Sequence, residues 1–255
     1  MTYIDEMKTQ GKRLFQLRSF LPVVIMLLLF PIGLYHSTYF MNSLLIDKIW
    51  ELCCFALALF GFGIRIFTVG YVADGTSGRS TSEPKAIELN TAGMYSIVRH
   101  PLYFGNCIVW AAIALFLHSA LMAISCGLAF FIYYERIIIA EEAFLAEKFG
   151  DAFTQWAKRT PAMIPKLRLW VKPARSFSWQ TVFRREYPGT LTITASFAAM
   201  DIFIDWYRDG YWHPDLTWLA IAGLGLLVFL AGWTLRKIKS AGNTEKQLVK
   251  QALET

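Results

Sequence analysis

Charge is scarce in this sequence: only 17% of its 255 residues are Asp, Glu, Lys or Arg, against 55% apolar and 16% aromatic. With a positive mean hydropathy, that balance excludes an ordinary soluble domain and indicates an integral membrane protein. Cysteine is sparse too. Cys53, Cys54, Cys107 and Cys126 fall in apolar stretches without metal-ligand spacing, which assigns them to packing in place of a disulfide or metal centre. No internal repeat and no low-complexity tract occurs, which argues against a solenoid or an extended linker. The net charge of +6 lacks the cationic stripe with interleaved aromatics that nucleic acid needs; it suits anionic lipid head groups. The first nineteen residues carry positive charge ahead of an apolar run, as in a signal peptide. No small-x-small cleavage site follows, so an uncleaved first helix is expected.

What the chain does have is long apolar runs. Crossing a hydrocarbon core of about 30 Å takes roughly 20 residues, and candidate runs lie at Phe20 to Phe40, Ile49 to Ala73, Leu102 to His118, Ala120 to Ala140, Thr190 to Trp206 and Leu216 to Leu235. The expected fold is therefore all-α and polytopic, with about six transmembrane helices plus cytoplasmic interfacial helices. If all six cross, 22 of the 25 Lys and Arg residues share one side, and the positive-inside rule puts that side, with both termini, in the cytoplasm. Two polar segments interrupt the spans there. One is the Gly-, Ser- and Thr-rich stretch from Asp74 to His100, which includes Arg79 and Lys85. The other runs from Glu135 to about Trp170 and has an amphipathic character, with Ala143, Phe144, Phe149, Phe153 and Trp156 facing the bilayer. Beyond it, Trp170, Phe177, Trp179 and Phe183 among Lys and Arg read as a second interfacial stretch.

Three constellations carry candidate chemistry. In "VRHPLYFGN", Pro101 is suited to the first position of a helix, and His100 before it is pushed to an extended conformation. The helix would offer free amides and its positive dipole end beside Arg99 and His100, a cradle for a carboxylate or phosphate. Tyr103, Asn106, Cys107 and Trp110 would share one face, and Gly105 leaves backbone open to close approach. The same residues also suit a plain interfacial anchor. In "YYERIIIAEEAFL", Glu135, Arg136, Glu141 and Glu142 end an apolar run, where adjacent acids are expensive unless paired or solvated. Either an external cation meets them or the helix simply leaves the bilayer. Arg65, deep in "FGFGIRIFTVGYV", is a functional candidate that would meet a carboxylate or an anionic lipid group; snorkelling to the interface is the alternative.

Taken together, "GMYSIVRHPLYFGN" and "RIIIAEEAFLAEKFGDAFTQWAKRTPAMIP" resemble the isoprenylcysteine carboxyl methyltransferase and phospholipid methyltransferase superfamily. Its hallmarks are Arg-His-Pro-x-Tyr-x-Gly, a Glu-Glu pair after the next helix, and a Phe-Gly, aromatic, Pro-x-x-x-Pro tail; all occur in order across roughly residues 60 to 166. The resemblance implies S-adenosylmethionine as methyl donor, in a cytoplasmic pocket bounded by Arg99, His100, Pro101, Tyr103, Gly105, Asn106, Glu141 and Glu142. His100, Glu142 and Arg136 are the implied catalytic residues, and Arg136 lies five residues before Glu141 where the family spacing is four. Arg65, Arg79, Arg136 and Trp110 are the expected acceptor-side residues. The implied organisation is a cytoplasmic segment at 1–19, a methyltransferase core at 20–188, two additional helices at 189–235 and a cytoplasmic tail at 236–255.

The loop "TSGRSTSEPKAIELNTAG", with "YYERI" and the two added helices, resembles a bacterial branch associated with lipid phosphates such as those of lipid A, which implies the bacterial inner membrane. An oxyanion acceptor needs no general base, whereas an amine such as phosphatidylethanolamine must first lose a proton, giving Glu142 or His100 that task. A prenylcysteine carboxylate is also open as acceptor, and so are two other classes: a nicotinamide-dependent membrane reductase, or a lipid-binding protein without activity. Asp201 and Asp205, four apart in the fifth run, form a possible second polar site.

Overall fold

The computed structural model describes residues 2–34, 43–73, 86–211 and 215–253, with side chains as far as residue 237. Helix α1, Tyr3–Gln16, starts from a capping box in which Thr2 and Asp5 satisfy each other's amides. A short break then turns the chain by 90° into α2, Leu21–Leu34, which carries no charged residue. The long α3, Leu44–Gly70, follows. After a four-residue turn of helix, α4 at Met94–Ile97, α5 spans Pro101–Phe116 with Pro101 at its first position, as the sequence predicts. Ser119 caps the start of α6, Ala120–Phe149, and Gly150 at φ +54° separates it from α7, Asp151–Arg159. A 3₁₀ turn at Leu167–Leu169 precedes α8, Trp179–Asp209, and α9, Leu216–Leu253.

The chain is an all-α polytopic membrane protein, but it has fewer clear spans than the six expected. By length and composition, α3, α6 and α9 qualify among the described residues, and α1 with α2 makes a fourth if the bent pair is one span. With 16 residues, α5 is only about 24 Å long at 1.5 Å per residue. The expected fifth run belongs to an α8 that begins earlier, at Trp179, and carries Arg184, Arg185, Glu186, Asp201, Asp205 and Arg208, too much charge for a simple span. The first expected run starts at the Leu17 to Phe20 turn and forms α2, only 14 residues long, and its residues 35 to 40 lie outside the described ones.

Even so, α3, α5, α6, α8 and α9 all run between the same two polar ends. At one end Ser178 donates its amide to the Gly70 carbonyl at 2.8 Å, and Arg65 meets Glu186. At the other, Trp50 Nε1 donates to the Leu115 carbonyl at 2.9 Å, and Trp218 Nε1 to Glu51 at 3.1 Å. Lipid offers no hydrophobic drive between helices, so close packing holds them. The α3–α5 crossing depends on two glycines: a Cβ on Gly61 would come within 2.7 Å of the Gly105 carbonyl, and one on Gly105 within 2.7 Å of the Gly61 carbonyl. Phe55, Phe116, Phe197 and Trp218 interlock at centroid distances of 5.1 to 5.5 Å, tying α8 and α9 to the core. Exposed Leu224, Leu227 and Leu230 give α9 a lipid-compatible face.

Candidate active site

The site grows from the junction that Pro101 creates. A proline at the first helical position leaves the residues before it extended and their amides in need of partners. The "RTPAMIP" turn supplies them. Arg99 donates its backbone amide to the Pro161 carbonyl at 2.8 Å and His100 to Ala162 at 3.2 Å, while Lys166 donates back to Ile97 at 2.9 Å. Trp156 Nε1 donates to the Tyr95 carbonyl at 3.1 Å. The motif's third part thus braces its first.

With the backbone fixed, the side chains converge on α6. Arg99 Nε donates to Glu142 Oε1 at 2.8 Å, and its Nη1 reaches the Ala157 and Thr160 carbonyls at the end of α7, at 2.6 and 3.1 Å. His100, only 5% exposed, places Nε2 at 2.9 Å from the same Glu142 oxygen. Its ring stacks on Tyr103 at 5.7 Å, and Tyr103 lies 5.3 Å from the ring of Tyr134. Glu141 differs from its neighbour. Its Oε2 is buried with no hydrogen-bond partner, and His100 Nδ1 lies 3.8 Å away. Such an atom costs about 1–3 kcal/mol or more unless a ligand satisfies it.

Arg65 does not reach for water. Its Nε and Nη2 form a two-pronged pair with Glu186 at 3.0 and 2.9 Å, and Nη1 donates to Asn106 Oδ1 at 2.8 Å. This geometry suits a guanidinium facing a carboxylate and joins α3, α5 and α8 at one point.

A cavity of about 250 Å³ lies between these groups, lined by Arg65, Arg99, His100, Pro101, Tyr103, Asn106 and Glu141. Glu142 stands just behind it as the anchor of Arg99 and His100. Three other expected residues are elsewhere, and a fourth is not described. Gly105 serves the α3–α5 contact. Trp110 stacks on Phe130 at 5.6 Å. Arg79 lies outside the described residues. Arg136 does not line the cavity: its guanidinium binds Glu135 at 2.6 Å and Gln10 of α1 at 3.3 Å. At 100° per residue, a spacing of five turns it about 140° from Glu141, whereas four would leave about 40°.

The lining also includes residues the sequence did not place there, Trp156 among them, which was expected to face the bilayer. Phe15 and Arg18 come from the α1 end, Tyr134 from α6, Trp156 from α7, and Arg185 and Glu186 from α8. One signal pointed to Glu186: a deep arginine requires an anion, and "RREYPG" holds an acid at the start of an apolar run. A second, apolar cavity of about 520 Å³ lies between α5 and α6, lined by Cys107, Cys126, Phe130, Phe131 and Ile138 among others. Tyr134 borders both cavities, and its buried hydroxyl makes no hydrogen bond.

Far from this site, at the other end of the bundle, Lys48 Nζ lies 2.8 Å from Glu51, 2.9 Å from Asp215 and 3.7 Å from Asp201. The oxygens of these three acids approach within 4.8 Å of one another, with the lysine ammonium against all three. Asp205 instead pairs with Arg208 at 2.8 Å, so the two aspartates expected to act together serve different partners.

Comparison with known proteins adds a family. A model described as phospholipid methyltransferase matches residues 52–152. The nickel-cobalt-cadmium resistance protein NccN of Alcaligenes xylosoxydans xylosoxydans is 32% identical over 162 residues, 62% of this chain and 71% of that protein. The cobalt-zinc-cadmium resistance protein CzcN of Cupriavidus metallidurans is 30% identical over 58% of this chain and 65% of its own length. A protein-S-isoprenylcysteine O-methyltransferase of Schizosaccharomyces pombe is 35% identical over 77 residues, 30% of this chain and 33% of the enzyme. No solved structure matches the chain significantly.

Proposed function

The chain belongs to the isoprenylcysteine carboxyl methyltransferase and phospholipid methyltransferase superfamily, and from that premise we propose that it methylates an anionic oxygen of a membrane lipid head group from S-adenosylmethionine. A lipid phosphate, as in lipid A, is the favoured acceptor, ahead of a prenylcysteine carboxylate or the amine of phosphatidylethanolamine. The names of the two metal-resistance relatives state no chemistry, so the reaction class rests on the methyltransferase relative, the family model and the site.

The observation that carries the reading is the buried, unpartnered Oε2 of Glu141 beside a polar cavity. The cofactor's ammonium and ribose hydroxyls are the donors such an oxygen needs. Residues present fit it: Glu141 would take those donors, Tyr103 and His100 would supply stacked ring faces, and the free amides at the start of α5 would favour its carboxylate. When bound, the cofactor supplies a methyl group on a cationic sulfur, which an oxyanion attacks without a general base. Glu142 keeps Arg99 and His100 in place by accepting from both. Glu186 holds Arg65 pointed at the cavity wall beside Asn106. Enclosure by α1, α5 and α6 limits water around the reacting pair, and holding the two partners in line supplies the main acceleration.

A lipid acceptor is supported by the adjoining apolar cavity, which is within the size range of small-ligand sites. Tyr134, common to both cavities, marks where a polar head would join a hydrocarbon chain. The distribution of Lys and Arg supports a cytoplasmic site in an inner membrane. The test is methyl transfer from labelled S-adenosylmethionine by purified protein in vesicles of phosphatidic acid, phosphatidylethanolamine or a farnesylated cysteine. Label in the phosphatidic acid fraction is expected; label only in the amine or the carboxylate would replace the acceptor, and no cofactor binding would remove the reading. Mass spectrometry of lipids from cells with and without the gene would show the native product as a lipid heavier by one methylene.

A further inference from the structure

We infer that the hydroxyl of Tyr134 is a specificity-determining hydrogen-bond donor to the acceptor, given to the second oxygen of a phosphate or carboxylate head group whose first oxygen is methylated. This rests on the methyltransferase reading of the cavity and adds to it the donor that faces the acceptor.

Among the described linings, Tyr134 is the residue that the polar and the apolar cavity have in common. An acceptor with its head in one and its chain in the other therefore passes this side chain. The ring is held by Tyr103 at 5.3 Å, Tyr133 at 5.0 Å and Phe130 at 6.2 Å between centroids, and the residue is only 3% exposed. Its hydroxyl has no hydrogen-bond partner. Asn106 stands beside it, but Asn106 Oδ1 accepts from Arg65 Nη1 at 2.8 Å, which leaves the tyrosine proton without an acceptor. A buried donor in that state destabilises the fold unless a ligand completes it. Packing accounts for the ring and not for the hydroxyl, since a phenylalanine would fill the same space without burying a polar group.

The neighbouring groups decide what completes it. Glu141 itself needs a donor and so cannot serve an oxyanion; the tyrosine proton can, in an O–H···O⁻ bond. A phosphate or carboxylate carries at least two oxygens. One attacks the methyl carbon, forming the O–CH3 bond as the S–CH3 bond breaks and its electron pair stays on sulfur. The other accepts from Tyr134, whose proton is not transferred. A neutral amine has a single lone pair, and methylation uses it. Seven residues earlier on the same face of α6, about 10 Å along the helix, Gly127 lines the apolar cavity, and a Cβ there would have open space around it. Glycine at that position keeps room for the chain of an acceptor that Tyr134 holds by its head.

The test uses full-length protein in nanodiscs with two oxyanion probes, a short-chain fluorescent phosphatidic acid and a fluorescent farnesylated cysteine, and with diacylglycerol as the uncharged control. The oxyanion that wild type binds more tightly identifies the head group. For it, Tyr134→Phe is expected to weaken binding, and to raise KM in the transfer assay, by about tenfold or more, as for loss of one charge-assisted hydrogen bond. Diacylglycerol binding and the cofactor dissociation constant should stay within about twofold. The thermal unfolding midpoint should not fall, because a hydroxyl without a partner adds nothing to the unliganded fold. Tyr133→Phe removes a neighbouring hydroxyl that is also buried without a partner but lines neither cavity, and should leave both probes unaffected. Gly127→Leu should weaken phosphatidic acid and diacylglycerol alike while cofactor binding is kept. Unchanged oxyanion affinity in Tyr134→Phe, a loss shared by diacylglycerol or by Tyr133→Phe, a lowered unfolding midpoint, or diacylglycerol binding untouched by Gly127→Leu would each overturn the inference, as would wild-type protein that binds neither oxyanion. If an oxyanion binds through Tyr134 yet the cofactor never binds, the methyltransferase reading fails and the oxyanion site stands.

Discussion

At one end of the bundle Arg65, Arg99 and His100 meet Glu186 and Glu142 around a cavity, and Glu141 keeps a buried oxygen without a partner. At the other end Lys48 sits against Glu51, Asp201 and Asp215, with Trp218 closing on Glu51. Both ends bury charge within a membrane protein, which alone marks either as a functional candidate. The difference lies in what remains to be satisfied. At the lysine end each acid has the ammonium close by, and the aromatic cluster of Trp218, Phe116 and Phe197 packs beside it. At the cavity end an acid, a tyrosine hydroxyl and open space remain. Buried carboxylates gathered on a shared ammonium position helices; a buried carboxylate oxygen left without a donor beside a cavity awaits a ligand.

The comparison breaks most sharply at Glu142. Replacing Glu142 with Gln, or His100 with Ala, is expected to lower methyl transfer at least a hundredfold while the protein still expresses and inserts, because both groups hold the wall of the cavity. Transfer from labelled cofactor, normalised to folded protein, is the measurement. Wild-type turnover in both variants would return this end to the status of the other, a structural ion network.

Lys48→Met should do the converse. Removing the cation leaves three acids crowded together, and breaking a buried pair this way costs about 3 kcal/mol, at the low end because Lys48 is itself part-exposed. The thermal unfolding midpoint in detergent should fall clearly, while turnover per folded molecule stays near wild type. A large loss of turnover with no loss of stability would mean the lysine end takes part in function.

These contrasts explain what the sequence made legible. Pro101 announced its helix because a proline's φ and missing amide leave few choices, and His100, Arg99 and the Glu141–Glu142 pair followed from its register. Arg65 was legible as a charge in need of an anion, but naming Glu186 required knowing that α8 folds back along α3. Arg136 stands apart from the cavity for a local reason: one residue of offset rotates a side chain to another face, and family spacing does not report that without the helix it turns toward. The α1 helix was missed because its apolar side is short and its packing surface is a glycine, Gly11, against a backbone carbonyl. The count of spans was overestimated because α5 is short and α8 mixes charge with apolar sequence. Those two helices are positioned by contacts at both ends of the bundle and not by hydropathy alone.

The smallest expected effect sharpens the lysine end by pH. Asp215 lies just before α9, outside the spanning segment. Partial burial raises its pKa, but hydrogen bonds from Lys48 and from Thr217, together with the lysine charge, outweigh that and hold it below the ordinary aspartate value. A carboxylate with a lowered pKa stabilises the fold fully above its ordinary value of about 3.9 and loses that contribution as pH falls through the lowered folded value. Thermal unfolding followed from pH 6 down to about pH 3 should therefore show a decline in wild type that is shallower in Asp215→Asn, since asparagine has no proton to take up. The variant should already be slightly less stable at pH 6, where it lacks the charge facing Lys48. Parallel curves for the two proteins would mean that Lys48 draws its partner from Glu51 and Asp201 alone, and that Asp215 contributes only its cap on the Thr217 amide.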